Sequence, residues 1–82
     1  MPRFFYVYML ESLSIQGRYY VGITDNLGAR LRKHNAGEVT YSSGLRPWHI
    51  KTAVAFTNEA RARIFERYLK GASGRAFAKK HF

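Results

Sequence analysis

Cysteine is absent from the 82 residues, which excludes disulfide scaffolds, thiolate zinc sites and thiol nucleophiles and leaves oxygen and nitrogen to carry any chemistry. Acidic residues are scarce: five Asp and Glu stand against fourteen Lys and Arg, a formal charge of +9. That surplus makes a polyanion the natural partner, with nucleic acid first. An anionic membrane surface fits less well, since the basic residues are spread over the chain with no single amphipathic anchor. Long apolar runs are missing too. The stretch Phe4 to Leu10 is far below a spanning length and lacks a small-residue cleavage site, so neither a membrane helix nor a signal peptide is expected, and the cytosol is the default compartment. No linker, repeat or low-complexity segment divides the sequence, and its length allows one domain over residues 1–82, one site and a monomer.

Apolar residues make up 46% and aromatics 16% of the chain, enough for a compact fold rather than disorder despite the charge. Aromatic and β-branched residues from Phe4 to Leu10 predict a strand, with Phe5, Val7 and Met9 on one face and Phe4, Tyr6, Tyr8 and Leu10 on the other. Gln16-Gly17 marks a turn, and Arg18 to Thr24 predicts the returning strand of a hairpin, with Gly22 permitting a close approach. Thr24, Asp25 or Asn26 can cap a helix from Leu27 to Asn35, with Gly37 as a left-handed stop. Its leucines point to the core, and Arg30 and His34, one turn apart, lie at the edge.

Glu38 to Trp48 reads as a mobile polar loop. His49 to Phe56 predicts a third strand, whose closing Ala53-Val54-Ala55-Phe56 is apolar on both faces and so suits a place inside the sheet, covered on both sides. Thr57 or Asn58 can cap a helix from Glu59 to Lys70 that buries Ala60, Ile64, Tyr68 and Leu69. Gly71 ends it, and Ser73 can cap a third helix. The order β-β-α-β-α-α predicts a small α/β sandwich, a three-stranded, mainly antiparallel sheet flanked by helices.

Tyrosines on paired strands, with Arg30 and His34 on the helix that follows, suit phosphodiester chemistry. A phenol can relay a proton at a water nucleophile, and a guanidinium can hold phosphate oxygens with two parallel hydrogen bonds. A free phenol has a pKa near ~10, so nearby cations must lower it or His34 must accept its proton. His34 could instead cap helix carbonyls. Tyr6 and Tyr19 read as packing residues and Trp48 as a core anchor, while His49 and His81 lack metal-ligand spacing. Glu66 lies among Arg63, Arg67 and Lys70, and spacing alone favours a lattice of ion pairs over a carboxylate facing a phosphate. The cations assigned to nucleic acid are Arg30, Arg32, Lys33, Arg46, Arg63, Lys70 and Arg75.

The chain resembles the GIY-YIG nuclease superfamily nearly end to end. Tyr6-Val7-Tyr8 occupies the first motif, Tyr20-Val21-Gly22 the second, and Asn26-Leu27-Gly28-Ala29-Arg30-Leu31 the helix that follows. His34-Asn35-Ala36-Gly37, Arg46-Pro47-Trp48, Phe65-Glu66-Arg67-Tyr68-Leu69-Lys70 and Ser73-Gly74-Arg75 are similar to a small stand-alone branch akin to the amino-terminal domain of the excision-repair nuclease. The resemblance implies that Tyr8 and Tyr20 are the motif tyrosines, Arg30 the phosphate-binding arginine, His34 its helical neighbour and Glu66 the ligand of one Mg²⁺ or Mn²⁺. It thereby replaces the ion-pair reading of Glu66. It implies hydrolysis of a phosphodiester bond, DNA being the expected substrate in repair or recombination; since nothing in the chain resembles a recognition helix or zinc finger, selectivity is expected to be structural or supplied by a protein partner. Ile23 stands where the excision-nuclease branch carries Lys. That departure keeps open a catalytically silent nucleic-acid-binding module of the same fold and, further off, an adaptor for an acidic protein.

Overall fold

The computed structural model describes residues 3–82. Its elements follow the expected order: β1 Phe5–Ser12, β2 Tyr19–Thr24, α1 Leu27–Asn35, β3 Trp48–Phe56, α2 Glu59–Lys70 and α3 Ala72–His81. The side chains of Asn26 and Asn58 accept hydrogen bonds from the backbone N–H of Ala29 and Arg61 and so start α1 and α2. These satisfy donors that a helix cannot pair internally. The start of α3 differs from expectation. Gly71 is its N-cap with no side-chain bond, and Ser73 already lies inside the helix.

The sheet is antiparallel throughout, in the order β2-β1-β3. This corrects the expected place of the third strand. β3 is an edge and Ala53 and Ala55 are exposed, whereas Val7, Tyr8, Met9 and Leu10 in the central β1 are buried on both faces. Small alanines satisfy an apolar pattern without demanding cover, while bulky residues in β1 do demand it. Met9 pairs with Thr52 and Leu10 with Ile50, so Lys51 is an extra residue in β3. Such a bulge resets the alternation of side chains. Thr52, Val54 and Phe56 therefore share a face with Met9, Val7 and Phe5, while Ile50 and Trp48 join Leu10 and Ser12 on the other.

Each face of the sheet has its own core. On one, Val7 and Met9 pack with Ala62 and Leu69 of α2 and Ala78 of α3, with Ile23 and Phe65 against them. On the other, Tyr8, Leu10 and Trp48 pack with Tyr20, Leu27, Leu31 and Ile50. The buried stripe of α2 is thus Ala62, Phe65 and Leu69, not the expected Ala60, Ile64 and Tyr68. Ala60 is exposed, Ile64 is 61% and Tyr68 42% exposed, and only Leu69 is common to both sets. Both stripes satisfy helical spacing, and the docking angle on the sheet selects between them.

The connection from β2 to β3 crosses the second face, and that crossing lays α1 over the tyrosines. The segment expected to be a mobile loop instead holds a 3₁₀ helix, Thr40–Leu45. Asn35 clamps its exit, donating from Nδ2 to the Trp48 carbonyl at 3.1 Å and accepting from the Trp48 N–H at 2.7 Å. No helix among the described residues is long and apolar enough to cross a membrane.

Candidate active site

Alternation along β1 sends Tyr8 to the face that α1 covers, opposite Val7 and Met9. Tyr8 sits across from Gly22 of β2, and its ring fills the space above that glycine: a Cβ built on Gly22 would lie 2.5 Å from Tyr8 Cζ. Tyr20, on the same face, pairs with Leu10 and stacks on Tyr8 with ring centroids 6.3 Å apart. One turn of α1 separates Arg30 from His34, and both reach the same phenol oxygen. Arg30 Nε donates to Tyr8 Oη at 3.2 Å, and His34 Nε2 lies 3.0 Å from it.

His34 is not at the edge of the core. It is fully buried, with Nδ1 2.6 Å from Ser42 Oγ in the 3₁₀ helix, and Ser42 Oγ donates to the Val39 carbonyl at 3.2 Å. These bonds replace the expected alternative of capping helix carbonyls. Satisfying every buried group gives the donors one direction. The Arg30 N–H occupies one acceptor position of Tyr8, and the Tyr8 hydroxyl donates to a bare His34 Nε2. His34 Nδ1–H then donates to Ser42, whose proton goes to Val39. The opposite tautomer would leave the buried Tyr8 proton without an acceptor.

The charges agree with this arrangement. Burial first, and the neighbouring Arg30 guanidinium second, lower the His34 pKa from 6.5 to about 4, so the ring is neutral. Burial raises the Tyr8 phenol above its ordinary value, and the Arg30 hydrogen bond and charge oppose that rise without reversing it. Cations near Tyr8 therefore do not free the phenol proton, and His34, its pKa lowered to about 4, accepts a hydrogen bond from the phenol without taking its proton. The Tyr8 bond raises the Arg30 pKa in turn, keeping the guanidinium charged.

Glu66 lies on α2 near enough for its charge to act on Tyr8. Its side chain is 16% exposed, and Oε2 accepts from Lys70 Nζ at 3.1 Å, one of the ion pairs that spacing favoured. No group of three or more His, Cys, Asp or Glu that could hold a metal occurs among the described residues. A single carboxylate with a free Oε1 still suits Mg²⁺, which usually keeps several waters and takes one or two carboxylates plus substrate phosphate.

The structure brings Tyr8, Tyr20, Arg30 and His34 together and disperses most of the other cations. Arg32 and Lys33 are exposed on α1, and Arg46 is exposed just past the 3₁₀ helix, with Nε bonded to the Ser43 carbonyl. Arg63 is held by Glu59, at 3.0 and 2.7 Å. Lys70 and Arg75 line a cleft beside Met9 and Val21, on the other face of the sheet. Ile23, at the position where the excision-nuclease branch carries Lys, packs into the core under α2. Sequence reasoning missed Ser42. Its one signal was a serine in a turn-like run after the helix of His34, a pattern shared by ordinary loops.

Comparison with known proteins adds a family. The model of the GIY-YIG catalytic domain matches residues 4–80. The structure-specific endonuclease subunit SLX1 of Vanderwaltozyma polyspora is 34% identical over 73 residues, covering 80% of this chain and 23% of the relative. SLX1 of Debaryomyces hansenii is 41% identical over 56 residues, 60% of this chain and 16% of the relative. The chain thus spans less than a quarter of the length of these curated relatives. The solution structure of the UPF0213 protein BH0048 from Bacillus halodurans superposes with a TM-score of 0.56 at 30% identity, covering 93% of this chain and 80% of that one.

Proposed function

Since this chain belongs to the GIY-YIG family of nuclease catalytic domains, we propose that it is a divalent-metal-dependent endonuclease hydrolysing phosphodiester bonds in branched or otherwise structured DNA. The observation that carries the reading is the buried phenol oxygen of Tyr8, held by Arg30 and His34 beside the half-buried Tyr20. A packing role for these tyrosines would not need a charged guanidinium and a neutral imidazole converging on one hydroxyl. The names of the SLX1 relatives, structure-specific endonuclease subunits, support a structured substrate and a subunit relationship with another protein; a role in repair or recombination is part of the proposal.

The residues divide the work by exposure. Tyr8 is 2% exposed and its oxygen is already engaged, so it acts by locking Arg30 in place. Tyr20 is the more accessible phenol and is the group we assign to the attacking water, which it orients and whose proton it relays, its own hydroxyl proton passing to solvent as the water's proton arrives. Arg30, rigid between the two phenols, offers its remaining N–H groups to phosphoryl oxygens as charge builds in the transition state. Glu66 would hold the divalent ion, which supplies charge neutralisation at the phosphoryl oxygens and leaving group.

The test is cleavage of labelled single-stranded, duplex and branched DNA, with an RNA control, in Mg²⁺ or Mn²⁺ against EDTA. Glu66→Gln and Tyr20→Phe are each expected to lower cleavage by about a hundredfold or more while sparing folding and binding, since both changes are nearly isosteric. Retained cleavage in both variants would overturn the site. Binding without products in the parent would make this a silent nucleic-acid-binding module.

A further inference from the structure

The cleft beside Met9 and Val21 is a second feature with recognisable chemistry. It has a volume of about 680 Å³, within the usual range for binding pockets. Its floor is aliphatic, formed by Met9, Val21, Leu69 and Ala78, with the half-exposed Tyr19 at one side. Its rim carries Arg18, Lys51, Lys70, Arg75 and Lys79, and no carboxylate lines it. Two of these cations have local company, Lys70 with Glu66 and Lys51 over the Tyr19 ring. Arg18, Arg75 and Lys79 make no ion pair among the described residues. All five are exposed, and Glu66 offsets only Lys70, so the remaining like charges surround an apolar surface without a carboxylate partner.

We propose that this cleft docks an acidic, amphipathic polypeptide segment of a partner protein. Apolar side chains of that segment would sit on Met9, Val21, Leu69 and Ala78, and its carboxylates would meet Arg18, Arg75 and Lys79. Charge complementarity selects a polyanion, and the floor selects which kind. Nucleic acid rewards cations along a backbone track and aromatic faces under its bases. The aliphatic floor gives bases no stacking surface, and the one ring at the cleft, Tyr19, carries Lys51 over it at 4.8 Å, whereas an amphipathic segment uses floor and rim together. The inference goes beyond the proposed nuclease and does not rest on it: alternation along β1 and β2 puts Met9 and Val21 on the opposite side of the sheet from Tyr8 and Tyr20, and of the rim cations Lys70 alone touches a residue assigned to that site, through its ion pair with Glu66.

The experiment pans a random peptide display library against the 82-residue protein at physiological ionic strength. Enriched peptides are then mapped by amide chemical shifts. Enrichment of sequences that combine periodic apolar residues with Asp or Glu is expected, with shifts in residues 18–21 and 69–79 and none at Arg30 or His34. The double variant Arg18→Glu, Lys79→Glu, at two exposed positions, is expected to weaken the selected peptide by about tenfold or more with an unchanged melting temperature. Failure to enrich such peptides, or shifts centred on the Tyr8 face, would overturn the proposal. A DNA oligonucleotide that shifts the cleft amides and displaces the peptide would overturn it in favour of a nucleic-acid groove.

Discussion

The buried imidazole of His34 links the site to stability. Its pKa is lowered from 6.5 to about 4 by burial and Arg30, so on acidification the unfolded chain takes up a proton that the folded chain refuses. The contribution is fully present above about pH 6.5 and is lost as pH falls toward 4, amounting to roughly 3 kcal/mol over that window. Urea titrations from pH 7.5 to 4 are expected to show this slope in the parent and a shallower one in His34→Gln. Equal slopes would assign the acid sensitivity elsewhere. Ser42 is the positioning residue behind that ring, and Ser42→Ala removes the acceptor of His34 Nδ1–H. A buried donor left unpaired costs about 1–3 kcal/mol, and cleavage is expected to fall by about tenfold through kcat with KM little changed. Ser42→Thr keeps the acceptor and should restore cleavage. Ring nitrogen shifts provide the readout that packing alone would not move, with Nδ1 protonated in the parent and both tautomers populated in Ser42→Ala.

At the scale of elements, the hairpin of β1 and β2 works as a mould for the phenols. Tyr8 can lie flat over β2 only because residue 22 has no side chain. Gly22→Ala places a methyl against the Tyr8 ring, and crowding of a packed core costs typically about 1–3 kcal/mol. The ring must then swing away from Arg30 and His34. Cleavage is therefore expected to drop by about a hundredfold, far more than the modest fall in melting temperature would explain. Near-parental kinetics in a folded Gly22→Ala protein would show that the ring position is not needed. The bulge at Lys51 has a similar role, turning Trp48 into the second core, where its indole N–H donates to the Ser42 carbonyl at 2.9 Å. Sequence periodicity located β3 but could not register this extra residue, because a bulge is defined by the partner strand.

For the molecule as a whole, the charge of +9 predicts that the proposed association with nucleic acid is salt-dependent through counterion release. Each cation on a phosphate contributes separately, so Arg46→Ala is expected to reduce the slope of log affinity against log salt by about one. Anisotropy titrations with duplex DNA measure it, and an unchanged slope would place Arg46 off the path of the nucleic acid. The same surplus supplies the rim of the second cleft, so one net charge serves two surfaces on opposite sides of a thin sheet. That division was invisible in composition, which counts cations without placing them.

The sequence by itself determined the kinds and order of the elements, the short polar runs Thr24-Asp25-Asn26 and Thr57-Asn58 from which the caps of α1 and α2 come, the membership of Tyr8, Tyr20, Arg30 and His34 in one motif, and the large surplus of positive charge. These are legible because periodicity, capping and turn chemistry act over a few residues, and the motif preserves the spacing of the hairpin and its following helix. The tertiary structure alone decided that β1 rather than β3 is covered on both faces, that α2 buries Ala62 and Phe65 rather than Ala60 and Ile64, that Ser42 closes the hydrogen-bond chain, and that Lys70 and Arg75 turn away from the phenols. Each of these depends on which distant segments meet across the sheet, and the burial and hydrogen-bond energies that select among such meetings exist only once the chain has closed on itself.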